Sequence, residues 1–211
     1  MFVQEAKLLH ELIGSLQWNG NGTVLDIGSS SREYRCKIQP HIDGYIFRPL
    51  REVGYKIAYL DKKNEEGIDI IADLTDPLFD RNLQKTTYDL IICSNILEHV
   101  IDRELFINNL LSFAHKGSVI IITVPFKYFK HLDPIDTMFR PSLDELIQWI
   151  NQKGEFEIQH SSYIVINEKR YYKRKMKLAR YIPIRLSVDF WRYYLKSFRW
   201  KVTCIAVKKK K

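Results

Sequence analysis

Thr23-Val24-Leu25-Asp26-Ile27-Gly28-Ser29-Ser30-Ser31 reads as a short buried strand that ends in an acid and a glycine and opens into a serine-rich loop. A β-branched, apolar run bounded by turn residues is the signature of a strand, and Asn19-Gly20-Asn21-Gly22 supplies the turn before it. Working outward, the same shape recurs. Strands are expected at Tyr55–Leu60, ending in Asp61; at Ile68–Ala72, ending in Asp73; at Tyr88–Cys93, followed by Ser94 and Asn95; and at Val119–Val124, closed by Pro125. Two more fit Phe156–Ile166 and Trp200–Val207. Between them lie helical patterns. Phe2, Ala6, Leu9, Leu12, Ile13 and Leu16 recur at helical spacing, residues 102–114 form a second helix stopped by Gly117, and residues 141–152 form a third with Pro141 in its first turn. Alternating strands and helices argue an α/β fold with a mostly parallel sheet.

A chain of 211 residues, 45% hydrophobic and 27% charged, has room for one domain with its own core. Its longest apolar run, around Val119–Ile122, is too short to cross a bilayer. Residues 1–7 lack the charged and apolar regions of an export signal. Cys36, Cys93 and Cys204 are scattered and odd in number, with neither metal spacing nor a disulfide framework, so a reducing cytoplasm is the expected location. Cys93, inside an apolar strand, reads as core.

In an open parallel sheet, ligands bind beyond the carboxyl ends of the strands. Those ends carry Asp26, Asp61, Asp73 and Asn95 here. Acids suit a ligand with hydroxyls, an exocyclic amine and an ammonium better than they suit a phosphate, and the Gly-Lys-Ser/Thr of a P-loop is absent. Each acid also has a plainer reading as a cap for the helix that follows.

Val24–Ser29, Ile71-Ala72-Asp73-Leu74, Tyr88–Val100 with its Leu97-Glu98-His99-Val100, and Val124-Pro125-Phe126 with His131 and Asp133–Asp136 stand in an order that resembles the class I S-adenosylmethionine (SAM)-dependent methyltransferases, the type 11 sort in particular. The resemblance covers residues 20–165 and a last strand near 200–207. It implies a Rossmann-like, doubly wound sheet of seven mostly parallel strands with an antiparallel last strand and helices on both faces. The chain is then a single domain over 1–211, with an N-terminal helix within 1–18 and an insert at 167–199. The resemblance implies SAM as cofactor and S-adenosylhomocysteine (SAH) as product. Asp26, Gly28 and Ser29 would lie under the methionyl part, Asp61 on the ribose hydroxyls, and Asp73 on the adenine amine with Leu74 against the ring. Asn95 would lie beside the sulfonium. Two glycines of the family's loop are replaced by Ser30 and Arg32, although a serine-rich turn ending in Tyr34-Arg35 resembles a variant of that loop.

Methyl transfer to a hydroxyl needs alignment and a base titrating near neutrality. His131, in the loop after the fifth strand, and His99 are the candidates, with Asp133 and Asp136 as orienters or alternatives. His10, His41, His115 and His160 read as surface or packing residues. Ser94-Asn95-Ile96-Leu97 stands where a methyltransferase of exocyclic base amines would carry Asn-Pro-Pro-Tyr, which argues against such amines; an oxygen on a small molecule or a glycan or glycolipid precursor is the acceptor that the resemblance implies.

The net charge of +8 is split. Residues 1–165 hold 17 basic and 23 acidic side chains, whereas residues 166–211 hold 16 basic and two acidic ones, Glu168 and Asp189. Within 167–199 the cations alternate with Tyr171, Tyr172, Phe190, Trp191, Tyr194 and Phe198. That pattern suits a lid, an anionic acceptor or peripheral contact with the inner face of a membrane, and nucleic acid after these. An RNA-directed methyltransferase and a non-catalytic module of the same fold are the alternatives to small-molecule methylation.

Overall fold

The computed structural model describes residues 1–16, 22–79, 83, 86–128, 130, 135–166 and 200–210. The expected insert at 167–199, His131 and Asp133 lie outside these residues. Seven strands form one sheet in the order β3-β2-β1-β4-β5-β7-β6. They are β1 (Thr23–Ile27), β2 (Lys56–Asp61), β3 (Ile70–Ile71), β4 (Tyr88–Ser94), β5 (Ala114–Lys127), β6 (Phe156–Ile166) and β7 (Trp200–Lys209). Pairing is parallel from β3 through β5, and β7 runs antiparallel to both β5 and β6. This is the Rossmann-like, doubly wound sheet with an antiparallel last strand that the sequence implies.

Strand alternation divides the core. Leu25, Ile27, Ile91, Cys93, Ile120 and Ile122 face one side, where they pack with α4 (Arg103–Ser112) and α5 (Leu143–Asn151). Val24, Leu90, Ile92, Val119 and Ile121 face the other side, against α1 (Val3–Ser15) and the short helices α2 (Pro40–Ile42) and α3 (Arg48–Glu52). Burial on both faces explains why these strands read as continuous apolar runs instead of alternating ones. Among the described residues, no helix is long and apolar enough to cross a membrane.

Three local expectations are corrected. The helix expected to run to Ala114 ends at Ser112, and β5 starts at Ala114. Tyr88 pairs with Ala114 but Leu90 pairs with Val119, so residues 115–118 bulge out. Gly117 takes φ +92° there. Ser118 Oγ accepts from His115 N–H and donates to the Tyr88 carbonyl at 2.6 Å, closing the bulge. α5 starts at Leu143, so the expected Pro141 lies before the helix and Ser142 caps it: Ser142 accepts from Glu145 N–H while Glu145 accepts from Ser142 N–H. A reciprocal capping box satisfies two orphan donors, which proline could not do. The third strand is only two residues long.

Candidate functional site

The strand order reverses between β1 and β4, so their carboxyl ends frame a crevice outside the sheet. Gly28 takes φ +73°, and a Cβ there would come within 2.2 Å of Ile96 Cδ1, so the turn off β1 needs glycine. Gly28 and Ser29 both donate their N–H to the Leu60 carbonyl, at 2.8 and 3.1 Å, which ties the loop to the end of β2. Asp26 is 7% exposed. Burial pushes its carboxyl up to about 8, with Arg35 opposing and Asp61 adding to the rise.

Asp61 ends β2 half-buried. Its Oδ2 accepts from Ser30 N–H at 2.9 Å and its Oδ1 from Lys63 N–H at 3.1 Å. Each oxygen keeps a second lone pair for a ligand hydroxyl. Asp73 spends Oδ1 on the Thr75 N–H and hydroxyl, at 2.8 and 2.6 Å. Burial alone would raise its carboxyl, but the two Thr75 bonds and the Lys62 charge outweigh burial and hold it below the usual range. Asp61 and Asp73 are brought to one edge by Ala72 N–H, which donates to the Asp61 carbonyl at 3.0 Å. Leu74 differs from expectation: its side chain is 2% exposed and packs in the α4-side core, while its carbonyl accepts from Asn109. It offers no face to an adenine ring.

Asn95 also has a different task. With φ +55°, a conformation asparagine tolerates, it turns its amide inward to donate to Glu5 Oε1 at 2.7 Å. The same oxygen accepts from Thr123 Oγ1 at 2.6 Å, and Glu5 Oε2 accepts from Phe2 N–H. Glu5 is fully buried. It docks α1 onto the carboxyl ends of β4 and β5. The sequence carried a signal for it, since Glu5 lies four residues before Leu9, on the apolar stripe of α1. Glu5→Ala leaves three donors without their acceptor, the buried Thr123 hydroxyl and the half-buried Asn95 amide and Phe2 N–H, so it should cost roughly 2–4 kcal/mol. Urea unfolding checks this; an unchanged midpoint would show that the network contributes nothing.

Beyond β4, residues 97–99 make one tight helical turn. Glu98 is 1% exposed, and its Oε2 accepts no hydrogen bond among the described residues. Burial pushes its carboxyl up to about 8; its own backbone N–H and Arg140 oppose this, and Glu5 and Asp136 add to it. His99 faces the Ile135 carbonyl through Nδ1. A carbonyl only accepts, so Nδ1 carries the proton and Nε2, 3.8 Å from Glu98 Oε1, is the basic nitrogen. Asp136 is buried against Arg140 Nη2 at 2.6 Å and accepts from Met138 N–H, so its carboxylate is occupied in holding the 135–140 loop. The structure thus brings His99, Glu98 and Asp136 to the crevice end of β4 and gives Asp136 a structural partner. Cys93 is buried, and burial pushes its thiol up, which suits a core residue.

The most informative residue that sequence reading left without a role is Arg35. It is 3% exposed, and its guanidinium lies 3.7 Å over the Tyr59 ring. Nη1 donates to the Ser29 and Ser30 carbonyls and Nη2 to the Gly67 carbonyl at 2.8 Å.

Comparison with known proteins agrees with this architecture. A family model described as a methyltransferase domain matches residues 4–169. No curated protein matches the chain in sequence. Coclaurine N-methyltransferase, solved with N-methylheliamine and SAH, is similar over 98% of this chain and 70% of its own, with TM-score 0.56 and 14% identity. A SAM-dependent methyltransferase structure from Listeria monocytogenes is similar over 98% of this chain and 100% of its own, with TM-score 0.54 and 15% identity. The [4+2]-cyclase SpnF is similar over 98% and 82%, with TM-score 0.58 and 15% identity. At such identities the likeness is one of fold. The family model spans most of the chain and covers β1 through β6 with the crevice between β1 and β4, so the chain belongs to the methyltransferase-domain family and has the class I SAM-dependent methyltransferase fold.

Proposed function

We propose that this methyltransferase binds SAM along the carboxyl edge of β1 and β2 and methylates an oxygen of a small molecule or glycan precursor. The observation that carries the reading is the row of carboxylates there. Asp61 keeps a lone pair on each oxygen for a ribose diol, and Asp73 keeps Oδ2 for an adenine amine. The buried Asp26 lies next to the turn where a methionyl ammonium would lie. These donors and acceptors fit SAM, which supplies a methyl group on a sulfonium centre. The chain's own part is to bind, to orient and to move one proton. Asp61 and the 28–30 loop fix the cofactor's position. His131, which follows β5 in the chain, is the first candidate base, and His99, with Nδ1–H on the Ile135 carbonyl, is the second. In-line displacement depends mainly on this alignment. The SAH complex of coclaurine N-methyltransferase, which holds the small molecule N-methylheliamine, supports a small-molecule acceptor as a class. The choice of oxygen rests on the candidate histidine bases, and Ser94-Asn95-Ile96-Leu97 argues against exocyclic base amines. The basic segment at 167–199 suits an anionic or membrane-linked acceptor. Cytoplasmic work at the inner membrane face follows from that reading.

Titration with SAM and SAH tests the cofactor, and transfer from methyl-labelled SAM to hydroxylated small molecules and sugar nucleotides tests the reaction. His131→Ala should lower turnover by about a hundredfold while SAH binding survives. His99→Ala should weaken SAH binding or stability first. Full turnover in both variants would leave neither histidine as the base.

A further inference from the structure

The loop after β1 adopts a left-handed residue where the sequence supplies no glycine. Ser30 has φ +57°, a conformation in which a Cβ is strained. Its neighbours are held from two sides. On one side the N–H groups of Gly28 and Ser29 point at the Leu60 carbonyl, and that of Ser30 points at Asp61 Oδ2. On the other side the carbonyls of Ser29 and Ser30 converge on Arg35 Nη1. The guanidinium is itself fixed by the Gly67 carbonyl and by stacking on Tyr59. A buried arginine has five donors in a rigid fork and needs acceptors for them. Here the acceptors it takes are the carbonyls that a left-handed Ser30 turns inward.

We propose that Arg35 is a positioning residue for the cofactor loop: it holds Ser30 in the left-handed conformation that a glycine would adopt unaided, which keeps Ser30 N–H on Asp61 and the outer face of the loop open. The inference rests on the SAM-binding reading above. Without Arg35, Ser30 relaxes to negative φ, its peptide turns, and Asp61 loses the bond that fixes its carboxylate. An ammonium at position 35 cannot replace the fork, because one point charge neither spans three carbonyls nor stacks on Tyr59.

The test is a cycle read by SAH titration, with thermal melting alongside. Wild-type protein binds SAH. Arg35→Gln and Arg35→Lys each weaken binding at least thirtyfold. Ser30→Gly introduced into either variant restores at least tenfold, because glycine no longer needs the clamp. A merely structural arginine would not respond to Ser30→Gly in that way. Unchanged SAH affinity in folded Arg35→Lys overturns the proposal. So does a loss that Ser30→Gly leaves untouched, and so does failure of both Arg35 variants to fold, which would make Arg35 a core residue. Absence of SAH binding by the wild type overturns the cofactor reading itself, an outcome separable from all of these.

Discussion

Asp61→Ala should weaken SAM and SAH binding a hundredfold or more. A hydrogen bond to a charged group contributes about 1.5–3 kcal/mol, and a carboxylate facing a ribose diol makes two such bonds. The geometry adds a second loss. Asp61 Oδ2 also holds Ser30 N–H at 2.9 Å, and Oδ1 holds Lys63 N–H at 3.1 Å. Alanine therefore removes the ligand contact and releases the loop that shapes the turn under the methionyl part. Asp61→Asn keeps one oxygen, loses the charge, and should fall between wild type and alanine. Fold stability should drop by only about 1–2 kcal/mol, since Asp61 is half-buried and both its N–H partners lie in loops. Calorimetric titration with SAH, paired with thermal melts, separates the two effects. Wild-type affinity in Asp61→Ala would take Asp61 out of the site and remove the main support for cofactor binding along this edge.

What could be read from the sequence follows from how local its causes are. All seven strands were legible because each is a β-branched run with turn residues at its ends. β1 and β6 match their expected spans closely, and β3 was over-read because Ile70–Ile71 alone pairs with β2. Strand-end acids were legible because the rule that places them depends only on topology. Residues 34–52 gave no clear period because wide turns at Tyr34–Ile38 and Asp43–Phe47 interrupt the helical phase. The bulge at 115–118 was hidden because Ala114 and Val119 look like the end of a helix and the start of a strand. Glu5 and Thr123 act through long-range contacts, 90 residues in the case of Glu5 and Asn95 and 118 in that of Glu5 and Thr123, which no window along the chain can hold. Ser30 and Arg32 stand where the resembled family's loop carries glycine. The structure places the compensating group, Arg35, only five residues beyond Ser30.

Glu98→Gln should stabilise the protein at pH 8 to 9 and have little effect near pH 5. Glu98 is 1% exposed, its Oε2 has no partner among the described residues, and burial pushes its carboxyl up to about 8 in the folded chain; in the unfolded chain it returns to about 4.3. The folded value is the higher one, so the native state holds a proton that the unfolded state gives up. That contribution to stability is complete below about pH 4 and is lost as pH rises through 8. Each pH unit in this window removes about 1.4 kcal/mol, so the loss is on the order of 5 kcal/mol and is essentially complete a little above pH 8. Asp26, also pushed up to about 8 by burial, acts in the same direction. Native melting temperature should therefore fall steadily from pH 5 to 9. Glutamine keeps the shape of a protonated glutamate without its ionisation, so the variant should lose part of that slope and gain on wild type progressively from about pH 5 to 8. The surrounding charges are Glu5 from α1, Asp136 and Arg140 from the loop before α5, and His99 beside it. Of these the His99 imidazole is the nearest to Oε1, with its Nε2 3.8 Å away. A parallel melt of Glu98→Gln/His99→Ala isolates its share: the pH slope should stay shallow with or without the imidazole. A Glu98→Gln protein that melts lower than wild type at pH 9, or keeps the full slope, would mean that Glu98 is ionised and paired in the native state.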